Sequence, residues 1–301
     1  MKRRILRSAI AGWLLWRLFG PEVPPRFHGV QRRPADLPGR TVTVGRHEFF
    51  VREVGDREAP ALVLVHGWLY DGFATWHRVA PELAASHRIV IPDLRNHGKS
   101  DRIRSRFEIG DVADDLAMLL DRLDLGGSSV VGYSMGGMVA QELVMRHPGA
   151  VGRLVLAATA SRPVQLPRVV TVPVMLGGRV LSRIDRTLLS RIAHRYLTAT
   201  GAIPPEHAEW LWQVLMDRDT DLYYEGGFAI LRFDAIDRIR RIDIPVHSII
   251  PTADQLIPAD NQRETARVVG AEVIEIEGAR HEAVLTHSGE VAKAITGFVP
   301  A

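Results

Sequence analysis

Ser128-Ser129-Val130-Val131-Gly132-Tyr133-Ser134-Met135-Gly136-Gly137 runs from a short apolar, β-rich segment through a glycine-flanked serine into a helical pattern that continues to His147. In this strand–turn–helix context a Gly-x-Ser-x-Gly pattern makes a nucleophile elbow. The turn is so tight that Gly132 and Gly136, two residues before and two after the serine, must lack side chains, and it lifts the Ser134 hydroxyl clear of the sheet. The reading assigns Ser128–Gly132 to a buried strand and makes Ser134 a candidate nucleophile at its carboxyl end.

Outward from that strand the chain alternates between β-rich and helical segments. Candidate strands are Thr41–Val44, Glu48–Val54, Ala61–His66, Arg88–Pro92, Arg153–Ala158, Val246–Pro251 and Glu272–Ile276. Several are nearly continuous Val/Ile/Leu runs, as a sheet covered on both faces requires. Helical patterns fall at Trp76–Ala85, Asp111–Leu123, Met135–His147, Asn261–Val269 and Gly289–Phe298. This order implies an α/β fold: a doubly wound, mostly parallel, eight-stranded sheet with a short antiparallel start from its first two strands. The alternation breaks over residues 161–241, where helical pieces rich in Trp, Tyr, Arg and Leu read as an inserted helical cap. The expected organisation is a basic, apolar arm and Pro-rich linker at residues 1–40, a core at 41–160 and 242–301, and the cap between them.

A serine nucleophile needs a base, and the base an orienting acid, in the chain order Ser, Asp or Glu, His for this architecture. Asp254 stands just past the strand Val246–Pro251, on the edge where open α/β sheets hold their ligands. The other common position for the acid, after Arg153–Ala158, reads Thr159-Ala160-Ser161-Arg162 and holds no carboxylate. Asp260 fits a capping role before the helix at Asn261. Of twelve histidines, His281 follows the last strand on the same edge as Ser134 and Asp254. His287, at the entry to the final helix, fits a solvated or capping role. Acyl transfer also asks for two backbone N–H donors toward a developing oxyanion; Met135 opens the helix after Ser134, and Trp68 follows the turn at His66-Gly67. The Trp68 indole can pack on the pocket wall, and His66 fits a turn-fixing hydrogen-bond role.

His66-Gly67-Trp68, Asp93-Leu94-Arg95-Asn96-His97-Gly98-Lys99-Ser100, Gly132–Gly137, Asp254 and His281 together resemble the α/β-hydrolase superfamily over roughly residues 41–301. Within it, His66–Asp71 followed by Trp76, with His281-Glu282-Ala283-Val284-Leu285-Thr286-His287, is most similar to bacterial arylesterases and the cofactor-free haloperoxidase or perhydrolase group. The resemblance implies a serine hydrolase that forms an acyl-enzyme and releases it with water or, in some members, peroxide. It implies Ser134 as nucleophile, His281 as base, Asp254 as orienter, and Trp68 and Met135 as oxyanion donors, with no cofactor and no metal. Arg280 departs from the small residue usual before the histidine. A serine at the elbow argues against the epoxide hydrolases and haloalkane dehalogenases of this fold, which attack with a carboxylate. The expected substrate is a small-molecule carboxylic ester with a modest to large apolar acyl or alcohol group, its binding residues unassigned. A lactonase, a thioesterase or a carbon–carbon bond hydrolase would use the same triad, and a ligand-binding receptor could retain the scaffold.

Composition narrows the rest. The 301 residues contain no cysteine, which excludes a thiol nucleophile, a disulfide and a thiolate metal site. Residues 1–40 carry nine basic and two acidic groups, leaving 29 basic against 33 acidic in the remainder. The body is therefore mildly acidic, and no nucleic-acid partner is expected. Met1–Phe19 combines five basic groups with Trp13, Trp16 and Phe19. Its uncharged run, Ser8–Trp16, is too short to span a bilayer, and Phe19-Gly20-Pro21-Glu22 lacks a signal-cleavage pattern. The expectation is a cytoplasmic chain whose residues 1–20 touch a membrane surface, with docking onto the chain's own fold and a signal or short anchor as the alternatives.

Overall fold

The computed structural model describes residue 12, residues 24–164 and residues 166–300. Its centre is an eight-stranded sheet. In chain order the strands are β1 (Gly39–Val44), β2 (His47–Val54), β3 (Ala61–Val65), β4 (Arg88–Pro92), β5 (Ser128–Tyr133), β6 (Val151–Ala157), β7 (Val246–Pro251) and β8 (Glu272–Ile276). They lie side by side as β1-β2-β4-β3-β5-β6-β7-β8. β1 is antiparallel to β2 and β2 to β4; β3 through β8 are all parallel. The period-two alternation of a strand splits β3 between two cores. Leu62 and Leu64 pack with Trp76 and Ile295, while Val63 and Val65 pack with Leu116 and Val139. Burial on both faces is why the segment reads as an unbroken apolar run.

Where a single helix was expected at Trp76–Ala85, two short ones form: α1 (Gly72–Trp76) and α2 (Ala80–Leu83). Asp71 starts the first early, accepting the Ala74 N–H at 2.8 Å. Pro81, at the start of the second, has no N–H to continue a helix from the first. The main face helices are α3 (Ile109–Arg122) and α4 (Met135–Arg146). Between β6 and β7 lie α5 (Arg168–Ile184), α6 (Leu188–Ala199), α7 (Ala208–Met216) and α8 (Thr220–Arg232); α9 (Ala259–Val269), α10 (Ala283–Thr286) and α11 (Ser288–Phe298) follow.

The helical block from α5 to α8 seats on the loop after β3. The Trp68 indole N–H donates to the Tyr223 carbonyl at 2.7 Å, and the two rings stack with centroids 4.1 Å apart. Arg218 Nη1 donates to the Leu69 carbonyl at 3.0 Å, and Trp210 meets Phe73 and His77 edge-on. Residues 24–38 hold no helix or strand, yet they are pinned at several points. The Arg32 N–H donates to the Glu206 carbonyl at 2.7 Å, the Phe27 ring meets His194, Asp36 faces Arg52, and the Pro38 carbonyl accepts the Glu53 N–H. The reading of residues 1–20 as a membrane-surface segment falls, apart from residue 12, outside the described residues. Among the described residues no helix is long and apolar enough to cross a membrane.

Candidate active site

Ser134 is the N-cap of α4 at φ 53° and ψ −120°, a backbone region that a side-chain-bearing residue seldom occupies. Close packing dictates the glycines around it. A Cβ on Gly132 would lie 2.5 Å from the Gly136 carbonyl oxygen, and one on Gly136 would lie 2.4 Å from that of Val65. Thr159, at the end of β6 where the sequence offered no carboxylate, instead secures the elbow. Its Oγ1 donates to the Ser134 carbonyl at 2.7 Å, and its methyl group fills the space that a Cβ on Gly137 would need.

Three side chains converge from three loops on this edge. Ser134 Oγ lies 3.0 Å from His281 Nε2, and His281 Nδ1 lies 2.8 Å from Asp254 Oδ2; all three residues are buried. Asp254 serves two ends. Its Oδ1 accepts the N–H groups of Leu256 and Ile257 at 2.8 and 2.9 Å, fixing the turn after β7, while Oδ2 also accepts from Gln262 Nε2 at 2.9 Å. The turn role and the histidine contact therefore belong to one carboxylate. His281 is held through its backbone, whose carbonyl accepts the Tyr133 hydroxyl at 3.0 Å. Arg280 is exposed, so its size leaves the loop geometry intact.

Neither alternative residue joins the group. Asp260 is not the cap expected of it: Pro258 occupies that position, and Asp260 sits in the first turn of α9, exposed and paired with Arg263. His287 precedes α11, with its ring against Thr286 Oγ1 at 2.8 Å.

The loop after β3 runs alongside Ser134: a Cβ on Gly67 would lie 3.2 Å from that of Ser134. This loop is braced from beneath. His66 is fully buried; its Nε2 accepts the Leu94 N–H at 2.9 Å, which leaves Nδ1–H to donate to the Gly67 carbonyl at 2.7 Å. Burial pushes its pKa down to about 4, so the ring is neutral at pH 7. Asp93, also buried, accepts the N–H groups of Gly72 and Lys99 and pairs with Arg52. Gly98 is required by closeness as well as by its φ of +50°, since a Cβ there would lie 2.1 Å from Asp93 Oδ2. The Asp93–Ser100 run thus buttresses the site from outside it. Met135, first residue of α4, has no intrahelical carbonyl for its N–H.

Above Ser134 is a cavity of about 350 Å³, walled by Trp68, Met138, Val164, Met175, Leu197, Tyr223 and Ile230 and reached by His281. Of the aromatics on α7 and α8, Tyr223 is the one on this wall. Trp212 packs against His194, and Tyr224 bonds Ser182 at 2.9 Å. Sequence reasoning missed Gln262, Thr159 and Tyr133: each is an ordinary polar residue that no motif marks.

A profile of the alpha/beta hydrolase fold matches residues 60–288. The chain belongs to this family. Among its relatives, the magnesium-chelatase 30 kDa subunit of Rhodobacter capsulatus is 27% identical over 249 residues, covering 78% of this chain and 86% of that one. The non-heme chloroperoxidase of Streptomyces lividans is 27% identical over 276 residues, covering 87% and 99%. The pimeloyl-[acyl-carrier protein] methyl ester esterase of Aeromonas salmonicida is 27% identical over 259 residues, covering 80% and 96%. A solved hydrolase from Pseudomonas aeruginosa superposes with a TM-score of 0.77 at 22% identity, over 87% of this chain and 98% of that one. The chain is thus a hydrolase of the alpha/beta hydrolase family, and its relatives include an esterase and a haloperoxidase.

Proposed function

We propose that this alpha/beta hydrolase cleaves small carboxylic esters with an apolar acyl or alcohol group through an acyl-enzyme. The observation that carries the reading is the hydrogen-bonded chain Ser134–His281–Asp254 at the base of an apolar cavity. His281 Nε2 takes the Ser134 proton as Oγ attacks the ester carbonyl, then returns it to the departing alcohol; a water activated by the same nitrogen releases the acid. Asp254 holds Nδ1–H and stabilises the imidazolium. The N–H groups of Trp68 and Met135 receive the oxyanion. Residues 161–241 act as the cap that selects the apolar group, on a core of 41–160 and 242–301.

A fluorophosphonate probe together with sustained hydrolysis of p-nitrophenyl acetate tests the reading. Labelling and turnover, both lost in Ser134→Ala, support it. A single burst without turnover favours a binding protein on the same scaffold. We further propose that residues 1–20, with five basic groups and three large aromatics, bring the enzyme to anionic membrane surfaces.

A further inference from the structure

Glu282 follows His281 directly and is 2% exposed. It lines the cavity that holds Ser134. Neither of its carboxylate oxygens has a hydrogen-bond partner among the described residues. Tyr70, Tyr133 and Tyr196, which line the same cavity, feel its charge. Burial first, and the Glu282 charge among the further causes, raises all three phenols, Tyr196 to about 12. Tyr196 approaches the carboxylate closely enough that contact with Glu282 is, after burial, the main cause of its raised phenol, yet the pair misses full hydrogen-bond geometry. Arg280, the neighbouring cation in the chain, is exposed and reaches the Tyr196 phenol but makes no hydrogen bond to the Glu282 carboxylate.

An ionised carboxylate buried without a partner is strongly unfavourable, and such groups persist where a ligand or a network completes them. The surroundings define what would complete this one. The rest of the wall is mostly aliphatic or aromatic, and the phenol rings beside Glu282 offer π faces that also attract a cation. A largely apolar pocket with one charged group orients its ligand by that group. We propose that Glu282 forms a subsite for a cationic amine carried by the substrate, so that the preferred esters place an alkyl ammonium against Glu282 and the ester carbonyl at Ser134. The proposal rests on the ester-hydrolase reading and narrows its substrate class.

The test compares p-nitrophenyl esters of short to medium straight-chain acids with their ω-amino counterparts of equal length, whose amines are protonated at pH 7. In the unaltered enzyme the amino ester is expected to have the higher kcat/KM at one or more lengths, by about tenfold or more, and Glu282→Gln should abolish that preference. Taking the ratio at each length cancels whatever the substitution does to both esters alike. An alkyl preference at every length, or a ratio unmoved by Glu282→Gln, overturns the subsite while leaving ester hydrolysis standing. Absence of turnover with both series would instead sink the ester reading. The subsite can then be judged by binding: hexylammonium should raise the melting temperature of the unaltered protein more than hexanol does, and equal effects of the two overturn it. This last comparison also decides the matter if Glu282→Gln does not fold.

Discussion

Strain at Ser134 and crowding at its glycines make the elbow intolerant of single atoms. Ser134→Ala removes only a hydroxyl from a buried, well-packed turn, so it should fold normally while kcat for an ester falls by about three orders of magnitude or more. Retention of more than about a tenth of the rate would remove Ser134 as nucleophile. His281→Ala should be comparably damaging, and the double variant scarcely worse, because base and nucleophile act as a unit. Gly136→Ala is the contrasting case: with its Cβ 2.4 Å from the Val65 oxygen, backbone must move. Both rate and stability should suffer, the latter by about 2 kcal/mol or more in denaturant titration. At His66 and His77 the sensitivity is to protons. Burial lowers both to about 4 in the folded state, against 6.5 for an ordinary imidazole. Between those values the unfolded chain binds protons that the folded chain refuses, so stability falls as pH drops from about 6.5 to about 4. Asp71, raised to about 6 mainly by burial and then by the Asp93 charge, pulls the other way over its own window from 3.8 upward. Two imidazoles with larger shifts outweigh it. A melting temperature that stays flat or rises across this acid range would contradict the assignment.

Local pattern carries far at the scale of elements. All eight strands were legible to within two residues, the central parallel ones because a doubly covered strand cannot avoid spelling out its burial, and the exposed β1 and β8 from their β-branched residues and place in the order. The sites at the strand ends were legible for a related reason: a tight turn, an acid and a histidine must follow particular strands in a fixed order. What escaped were features that the apolar pattern does not spell out. The break between α1 and α2 follows from an aspartate cap and a proline inside one amphipathic run. Gln262 reaches Asp254 from the next helix, and nothing in its neighbours marks it. Nor did any sequence signal show that the Trp68 indole would bind the Tyr223 carbonyl instead of merely lining a wall. That bond joins the candidate oxyanion loop to α8. Trp68→Phe, which keeps a ring and loses the donor, should therefore destabilise by about 1 kcal/mol. It should also shift relative kcat/KM along an acyl-chain series, since Trp68 and Tyr223 share one cavity wall. An unchanged chain-length profile in a destabilised variant would mean that the pair holds structure without setting specificity.

Over the whole molecule, charge and apolar surface are unevenly spread. The basic excess lies in residues 1–40, and α5 turns Val169, Val170, Val174, Leu176, Val180 and Leu181 outward. Deleting residues 1–20 should leave the rate on a small soluble ester nearly unchanged while weakening sedimentation with anionic vesicles in a salt-dependent way. Equal vesicle binding by the shortened chain would refute the membrane role of the arm.

Residues 24–38 add a further mooring to the block above the cavity, beyond its bonds to the loop after β3. A lid joined to its base only where the chain enters and leaves can swing about the line between those two points. Fastened again at Phe27–His194 and Arg32–Glu206, and tied below at Asp36–Arg52, this one cannot rotate as a rigid plate. The N-terminal stretch does not reach α5 in these contacts; there Ser182 alone among seventeen residues is buried, Met175 reaches the cavity, and Arg179 and Arg183 tie the helix to Asp221 of α8. The N-terminal stretch thus acts as a guy rope on α6 and on the segment leading into α7. Cutting it, by removing residues 1–38, should speed amide exchange across α6 and α7, whereas removing residues 1–20 should not.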